Sequence, residues 1–250
     1  MLTQTHESGR EKCFPYYPRS PTARDLKINE HDEFEDGLVH NIQLTSLEDN
    51  KETKSQIREL DISNEDGSET KKVWHFLYSA WPDFSVPEGA DREALLNLID
   101  MSKKKNADNS TNPRIVHCSA GVGRSGTFMA LDWLLQELEE GSLDNVDDSE
   151  DPVAAVVGML RQQRMMMVQA EPQFGFIYDV IRERWRERYV KQHPEEAERL
   201  GIDTIGEPKL KKHRPSMESH VSGVDGDEDM RAQLEAEFID AQADFDKGKT

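Results

Sequence analysis

The chain of 250 residues carries 31 Lys and Arg against 50 Asp and Glu, a formal charge of −19, and is only 35% apolar, below the roughly 45–50% of an average globular protein. So acidic a surface repels nucleic acid, whose phosphates need neutralising Lys and Arg, and disfavours anionic membranes; no run reaches the ~20 apolar residues of a membrane span, so no nucleic-acid or membrane partner is expected. Two cysteines, Cys13 and Cys118, are too few for a disulfide framework, and no apolar signal follows Met1, which points to a reducing, cytoplasmic setting.

In chain order, Leu26–Ile28, Leu38–Leu44 and Ile57–Ile62 alternate apolar and polar residues and predict short strands of an antiparallel meander. Val73–Tyr78, dense in aromatic and β-branched residues, is the strongest strand signal. Helices then take over. Asp91–Lys103 places Leu95, Leu96 and Ile99 on one face, and Ile115-Val116-His117 reads as a short buried strand. Thr127–Glu139 and Val153–Arg164 are helical, the second opened by Asp151 as N-cap with Pro152 at the first helical position. Phe174–Val190 continues the helical period through Phe176, Ile177, Val180, Ile181 and Trp185. Strands early and helices late predict an α+β domain, an α/β-type sheet flanked by helices, over residues 1–190.

After Val190 large hydrophobes become sparse, Pro194, Pro208 and Pro215 interrupt the chain, and an acidic run spans Asp225–Asp229. Residues 191–250 read as an acidic, mostly disordered tail, because too little apolar surface is available to offset chain entropy. Its one candidate element is a weak, transient helix over Met230–Phe245. The basic cluster Lys211-Lys212-His213-Arg214 has the form of a nuclear-targeting signal, but in so polar a stretch it reads first as solvated charge.

The chemistry concentrates in His117-Cys118-Ser119-Ala120-Gly121-Val122-Gly123-Arg124-Ser125-Gly126, where strand gives way to helix. Three glycines allow close backbone approach, and the helix start adds N–H groups and a positive dipole end, so the segment forms an anion cradle suited to phosphate. The same field favours a thiolate at Cys118, below the free value of roughly 8.5. Arg124 can grip two phosphate oxygens bidentately, which Lys cannot. A buried core cysteine beside a capping turn would account for one Cys or one Gly, but not for the whole set.

This segment resembles the signature of the protein tyrosine phosphatase family, His-Cys, five residues, then Arg-Ser/Thr, and matches it from His117 to Gly126. Trp81-Pro82-Asp83-Phe84-Ser85-Val86-Pro87 is similar to the family's mobile acid loop, and Gln169-Ala170-Glu171-Pro172-Gln173-Phe174 to its glutamine loop, with Ala170 where Thr is commoner. Gly9–Cys13 with Tyr16-Tyr17-Pro18 is similar to the family's middle region. The resemblance covers about residues 1–190 and implies a phosphotyrosine phosphatase-like fold needing neither metal nor cofactor. It implies Cys118 as nucleophile, Arg124 with the backbone of Ser119, Ala120, Gly121, Val122 and Gly123 as phosphate binders, and Asp83 as general acid and then base. Gln173 would position the hydrolytic water, Ser125 would hydrogen-bond the leaving thiolate, His117 would tune the Cys118 pKa, and Trp81 would anchor the acid loop. The loop's variable positions, Ser119, Ala120 and Val122, carry no lysine for extra phosphates, which favours phosphotyrosine on proteins over phosphoinositides. Met1-Leu2-Thr3 resembles an internal strand of the family, and the family's upstream Asn-Arg-Tyr recognition loop has no counterpart here. A catalytic domain truncated at its N-terminus is therefore expected, with a slowed or purely phosphotyrosine-binding fragment as the alternative to an active enzyme.

Overall fold

The computed structural model describes residues 1–7, 9–33, 35–81, 85–107, 111–147 and 149–202. Asp83, the helix expected at Met230–Phe245 and the Lys211–Arg214 cluster lie outside the described residues. The chain opens with a small hairpin, His6–Glu7 (β1) paired antiparallel to Arg10–Glu11 (β2). A four-stranded antiparallel meander follows in the order Asp25–Ile28 (β3), His40–Asn50 (β4), Ser55–Asn64 (β5) and Thr70–Tyr78 (β6). The strands expected of the meander are present, with β4 and β5 longer than their apolar alternation suggested. Their polar ends pair as a hairpin, with an irregularity between Leu44 and Ser46.

Five helices complete the described part: Gly89–Lys105 (α1), Gly123–Glu140 (α2), Pro152–Gln163 (α3), Glu171–Gln192 (α4) and Pro194–Leu200 (α5). The Asp151 carboxylate caps α3, accepting from Ala154 N at 2.9 Å with Pro152 next in the helix. Such a cap satisfies one of the orphan donors at a helix start and contributes about 1 kcal/mol. Two cores result. Leu95, Ile99, Phe128, Leu131, Leu134, Val157, Ile177 and Val180 bury the helices against Tyr78, Trp81 and Leu2. Met1 and Tyr17 pack on Ile42, Leu44 and Leu60 of the sheet. The fold class agrees with the sequence reading.

Three local expectations need correction. Ile115–His117 forms no strand: its backbone is held by one bond, Leu2 N to His117 O at 2.8 Å, and Ile115 is 88% exposed. Of its apolar pair only Val116 packs against the helical core, and the backbone partner is the Met1-Leu2 segment. That segment also bonds to the end of β6, through Tyr78 N to Met1 O at 3.0 Å and the Met1 amine to Phe76 O at 2.9 Å. Helix α2 begins at Gly123 rather than Thr127, so the signature residues from Gly123 onward form its first turn. Finally, helical structure passes residue 190. Pro194 sits in the first turn of α5, where its missing N–H costs nothing, Glu195 and Glu196 favour the helix start, and Gly201 closes it in the left-handed region at φ 65°. Ala197 on this helix is buried.

Candidate active site

Residues 118–126 bend into a loop that enters α2, and its glycines are required for different reasons. Gly121 takes φ +71°, a region costly for any side chain. At Gly126 a Cβ would lie 2.5 Å from Val168 N, so the first turn of α2 can touch the 167–168 backbone only without one. At Gly123 a Cβ would come within 3.0 Å of Gln173 Oε1. The loop carbonyls are engaged on the outside: Cys118 O accepts from His117 Nδ1 at 3.1 Å and Ala120 O from Arg164 at 3.0 Å. Val122 O accepts from Gly126 N at 2.9 Å and Val168 N at 3.2 Å. In a trans peptide the N–H opposes the C=O, so the amides of Ser119, Gly121 and Gly123 turn the other way, into the loop. N–H groups so arranged at a helix N-terminus form a nest suited to an anion.

Cys118 sits at the bottom of that nest, 6% exposed. Burial alone pushes its thiol up. The Ser125 hydroxyl and N–H, the Gly121 N–H and the Arg124 charge together outweigh it, and the pKa lies below the ordinary thiol value. Ser125 Oγ is buried without a hydrogen-bond partner among the described residues, and its nearness to Cys118 is one cause of the lowered thiol pKa.

Arg124 is 2% exposed. Its guanidinium donates from both terminal nitrogens to Glu7, at 2.8 Å and 3.3 Å, and from Nη1 to the carbonyl of Trp81 at 3.1 Å. Arg124 in turn outweighs the desolvation of Glu7 and holds that carboxyl below its usual range. The sequence reading passed over Glu7. A two-residue strand with no periodicity gives no sign that its carboxylate reaches a residue 117 positions away. Trp81 is buried and donates from its indole N–H to Ser85 O at 2.9 Å. It thereby bridges the two ends of the segment that contains Asp83.

His117 bonds Tyr16 through Nε2 at 2.5 Å and Cys118 O through Nδ1. Burial and the nearby Met1 amine keep its pKa below the ordinary imidazole value. Gln173 is buried, and its Oε1 accepts from Ala170 N at 3.2 Å, so its carboxamide closes the start of α4. Gln169, quoted only as part of the loop in the sequence reading, is exposed, and its Oε1 would lie 3.4 Å from a Cβ at Gly123. Both glutamines thus approach Gly123, Gln173 from a buried position and Gln169 from an exposed one. Arg161 supports the floor of this region, donating at 2.9 Å to both Met167 O and Val168 O. The backbone there is strained, with Met166 at φ 63° and Val168 at φ 59°.

The structure thus brings together Cys118, Ser119, Ala120, Gly121, Val122, Gly123, Arg124, Ser125 and His117 on one loop, with Gln173 packed against Gly123. Such a site can hold a tetrahedral dianion by its N–H groups and Arg124 while a thiolate attacks it from below. The chain is similar to known proteins. The family model described as protein-tyrosine phosphatase matches residues 1–183. Tyrosine-protein phosphatase 1 of Schizosaccharomyces pombe is 35% identical over 184 residues, covering 72% of this chain and 31% of that protein. Tyrosine-protein phosphatase corkscrew of Drosophila melanogaster is 30% identical over 186 residues, 72% of this chain and 20% of its own length. The crystal structure of a protein tyrosine phosphatase of Trypanosoma brucei superposes with a TM-score of 0.59 at 28% identity, over 81% of this chain and 60% of that one. The chain therefore spans less than a third of the length of these two curated relatives.

Proposed function

The chain belongs to the protein-tyrosine phosphatase family, and from that premise we propose that it hydrolyses phosphotyrosine on proteins through a cysteinyl-phosphate intermediate. The observation that supports the proposal is the buried Cys118 thiol, held below the ordinary thiol pKa by the Ser125 hydroxyl and N–H, the Gly121 N–H and the charge of Arg124, whose guanidinium is itself held by Glu7. In the first step the Cys118 thiolate attacks phosphorus, the S–P bond forms and the P–O bond to the tyrosyl ring breaks. The loop amides and Arg124 hold the equatorial oxygens as charge redistributes. Asp83 gives its proton to the departing phenolate, whose pKa near ~10 makes unassisted departure slow. In the second step Asp83 takes a proton from water, the water oxygen attacks phosphorus, and the Cys118–P bond breaks to release phosphate. Gln169 and Gln173 hold that water, and Ser125 donates to the returning thiolate.

The nest concentrates positive potential at one loop, so a phosphate monoester binds there despite the charge of −19 over the whole chain. A reducing compartment such as the cytoplasm suits a mechanism that needs Cys118 as a free thiol. No helix among the described residues is long and apolar enough to cross a membrane. Turnover of p-nitrophenyl phosphate tests the proposal. Activity in the wild type that falls to background in Cys118→Ser supports it, and equal rates in the two proteins refute it.

A further inference from the structure

The register of the meander builds a second cavity. Asp49 pairs with Gln56 and Gln56 with Leu77, so these three side chains form one row on the same face of β4, β5 and β6. Two residues further along each strand, the next row on that face holds Leu47, Arg58 and His75, and Tyr17 packs over it. The first row borders a cavity of about 520 Å³. Its other walls include Tyr17, Lys51 and Lys54 of the β4–β5 turn, Gln4 and Ser79. The volume suits a small molecule, and none of these residues belongs to the phosphate loop.

The charge around this cavity is unbalanced. Arg58 is 2% exposed, and its guanidinium donates from Nε to Pro18 O at 3.2 Å and from Nη2 to Gln56 Oε1 at 2.8 Å. Both acceptors are neutral, and Nη1 has no hydrogen-bond partner among the described residues. Buried charges are ordinarily paired, because desolvation makes a lone ion costly. The Tyr17 ring, 4.6 Å from the guanidinium, compensates only in part. Asp49 acts on Arg58 through space and is itself engaged by Gln56 Nε2 at 3.0 Å. Lys54 pairs with Asp91 at 2.6 Å, whereas Lys51 is exposed and makes no ion pair among the described residues. Three cations thus stand at or behind the wall against two carboxylates. The Gln4 carboxamide and the Ser79 hydroxyl add donors that no described residue engages. We propose that this cavity binds a small oxyanion, a carboxylate or a phosphate, which supplies the counter-charge that Arg58 and Lys51 lack. Such a site is separate from the phosphate nest and does not depend on the reaction proposed there.

The test is an NMR titration of the isotope-labelled protein with citrate and with inorganic phosphate, each to ~20 mM at constant ionic strength, because salt screens such contacts. Saturable shifts are expected at the Gln4 and Gln56 side-chain amides and at the Lys51 and Ser79 N–H groups. A response to citrate alone marks a carboxylate site, and one to phosphate alone a phosphate site. Lys51→Glu, in an exposed turn, should weaken binding about fivefold or more. Lys71→Glu makes the same charge change at an exposed lysine of β6 outside the cavity and should leave binding unchanged. The inference is overturned by shifts confined to Gly121 and Gly123, which report the phosphate nest, by no saturable shift with either anion, or by equal losses in the two variants. None of these readouts needs turnover, so a protein without phosphatase activity that still shows the cavity shifts refutes the proposed reaction and leaves this site standing.

Discussion

Replacing Gly126 by alanine probes the contact on which the phosphate loop rests. The new Cβ would meet Val168 N at 2.5 Å and Met167 C at 3.1 Å, backbone atoms that cannot swing aside as a side chain would. To make room, the first turn of α2 must part from the 167–168 segment, and the Val168 N to Val122 O bond is lost, at about 1 kcal/mol. Overpacking adds about 1–3 kcal/mol, while the better helix propensity of alanine returns about 1 kcal/mol. The net is a destabilisation of about 1–3 kcal/mol, or roughly 3–10 °C in Tm for a chain of this size. Because the displaced turn carries Arg124 and Ser125, turnover should fall by more than ~10-fold. Gly158→Ala and Gly175→Ala are the controls: both glycines are helical, with nothing within 4 Å of a Cβ, and each change should stabilise by about 0.5–1 kcal/mol. Urea denaturation with p-nitrophenyl phosphate kinetics reads all three. If Gly126→Ala is as stable and active as the controls, the close approach of α2 to residues 167–168 does not hold the site.

Ala170 at the N-cap of α4 has no side-chain hydrogen bond, so Ala170→Thr should complete a reciprocal cap with Gln173 and raise stability by about 0.5–1 kcal/mol; an unchanged denaturation midpoint refutes this. Glu7→Gln should lower kcat/KM by ~10-fold or more by releasing the Arg124 guanidinium, and wild-type kinetics would show that Glu7 does not orient it. The Glu7 carboxyl is depressed in the fold, so its stabilising contribution is present above the ordinary carboxylate pKa and lost as pH falls through the folded value. The Tm difference between wild type and Glu7→Gln should therefore shrink below pH ~4, and a constant difference contradicts the pairing. Ser125→Ala should raise the Cys118 pKa and slow alkylation near pH ~6 about threefold or more, whereas an unaltered alkylation profile would remove Ser125 from the thiolate's environment.

The loop from His117 to Gly126 was legible because its chemistry is local: a nucleophile, three glycines and an arginine within ten positions define an anion nest whatever surrounds them. The meander and the long helices were legible from periodicity, and Asp151-Pro152 from capping chemistry. What escaped depends on contacts distant in sequence. Glu7 reaches Arg124 across 117 positions and Tyr16 reaches His117 across 101, and neither leaves a pattern in its own segment. Ile115 has the composition of a buried strand, yet it is exposed while its neighbour Val116 packs on the helical core. Pro194 reads equally as a breaker or as the opening of a helix, and the acidic turn after it decided for the helix. The two glutamines of one loop were separable only by burial, Gln173 buried at the start of α4 and Gln169 exposed.

The most direct test of the account is to trap the intermediate. Wild-type protein mixed with a phosphotyrosyl peptide and quenched in acid within the first turnover should yield a phosphorylated species that peptide mapping places on Cys118. Asp83→Ala should slow its formation and Cys118→Ser should abolish it. Turnover that continues with no phosphate on Cys118, or with phosphate on another residue, would contradict the account.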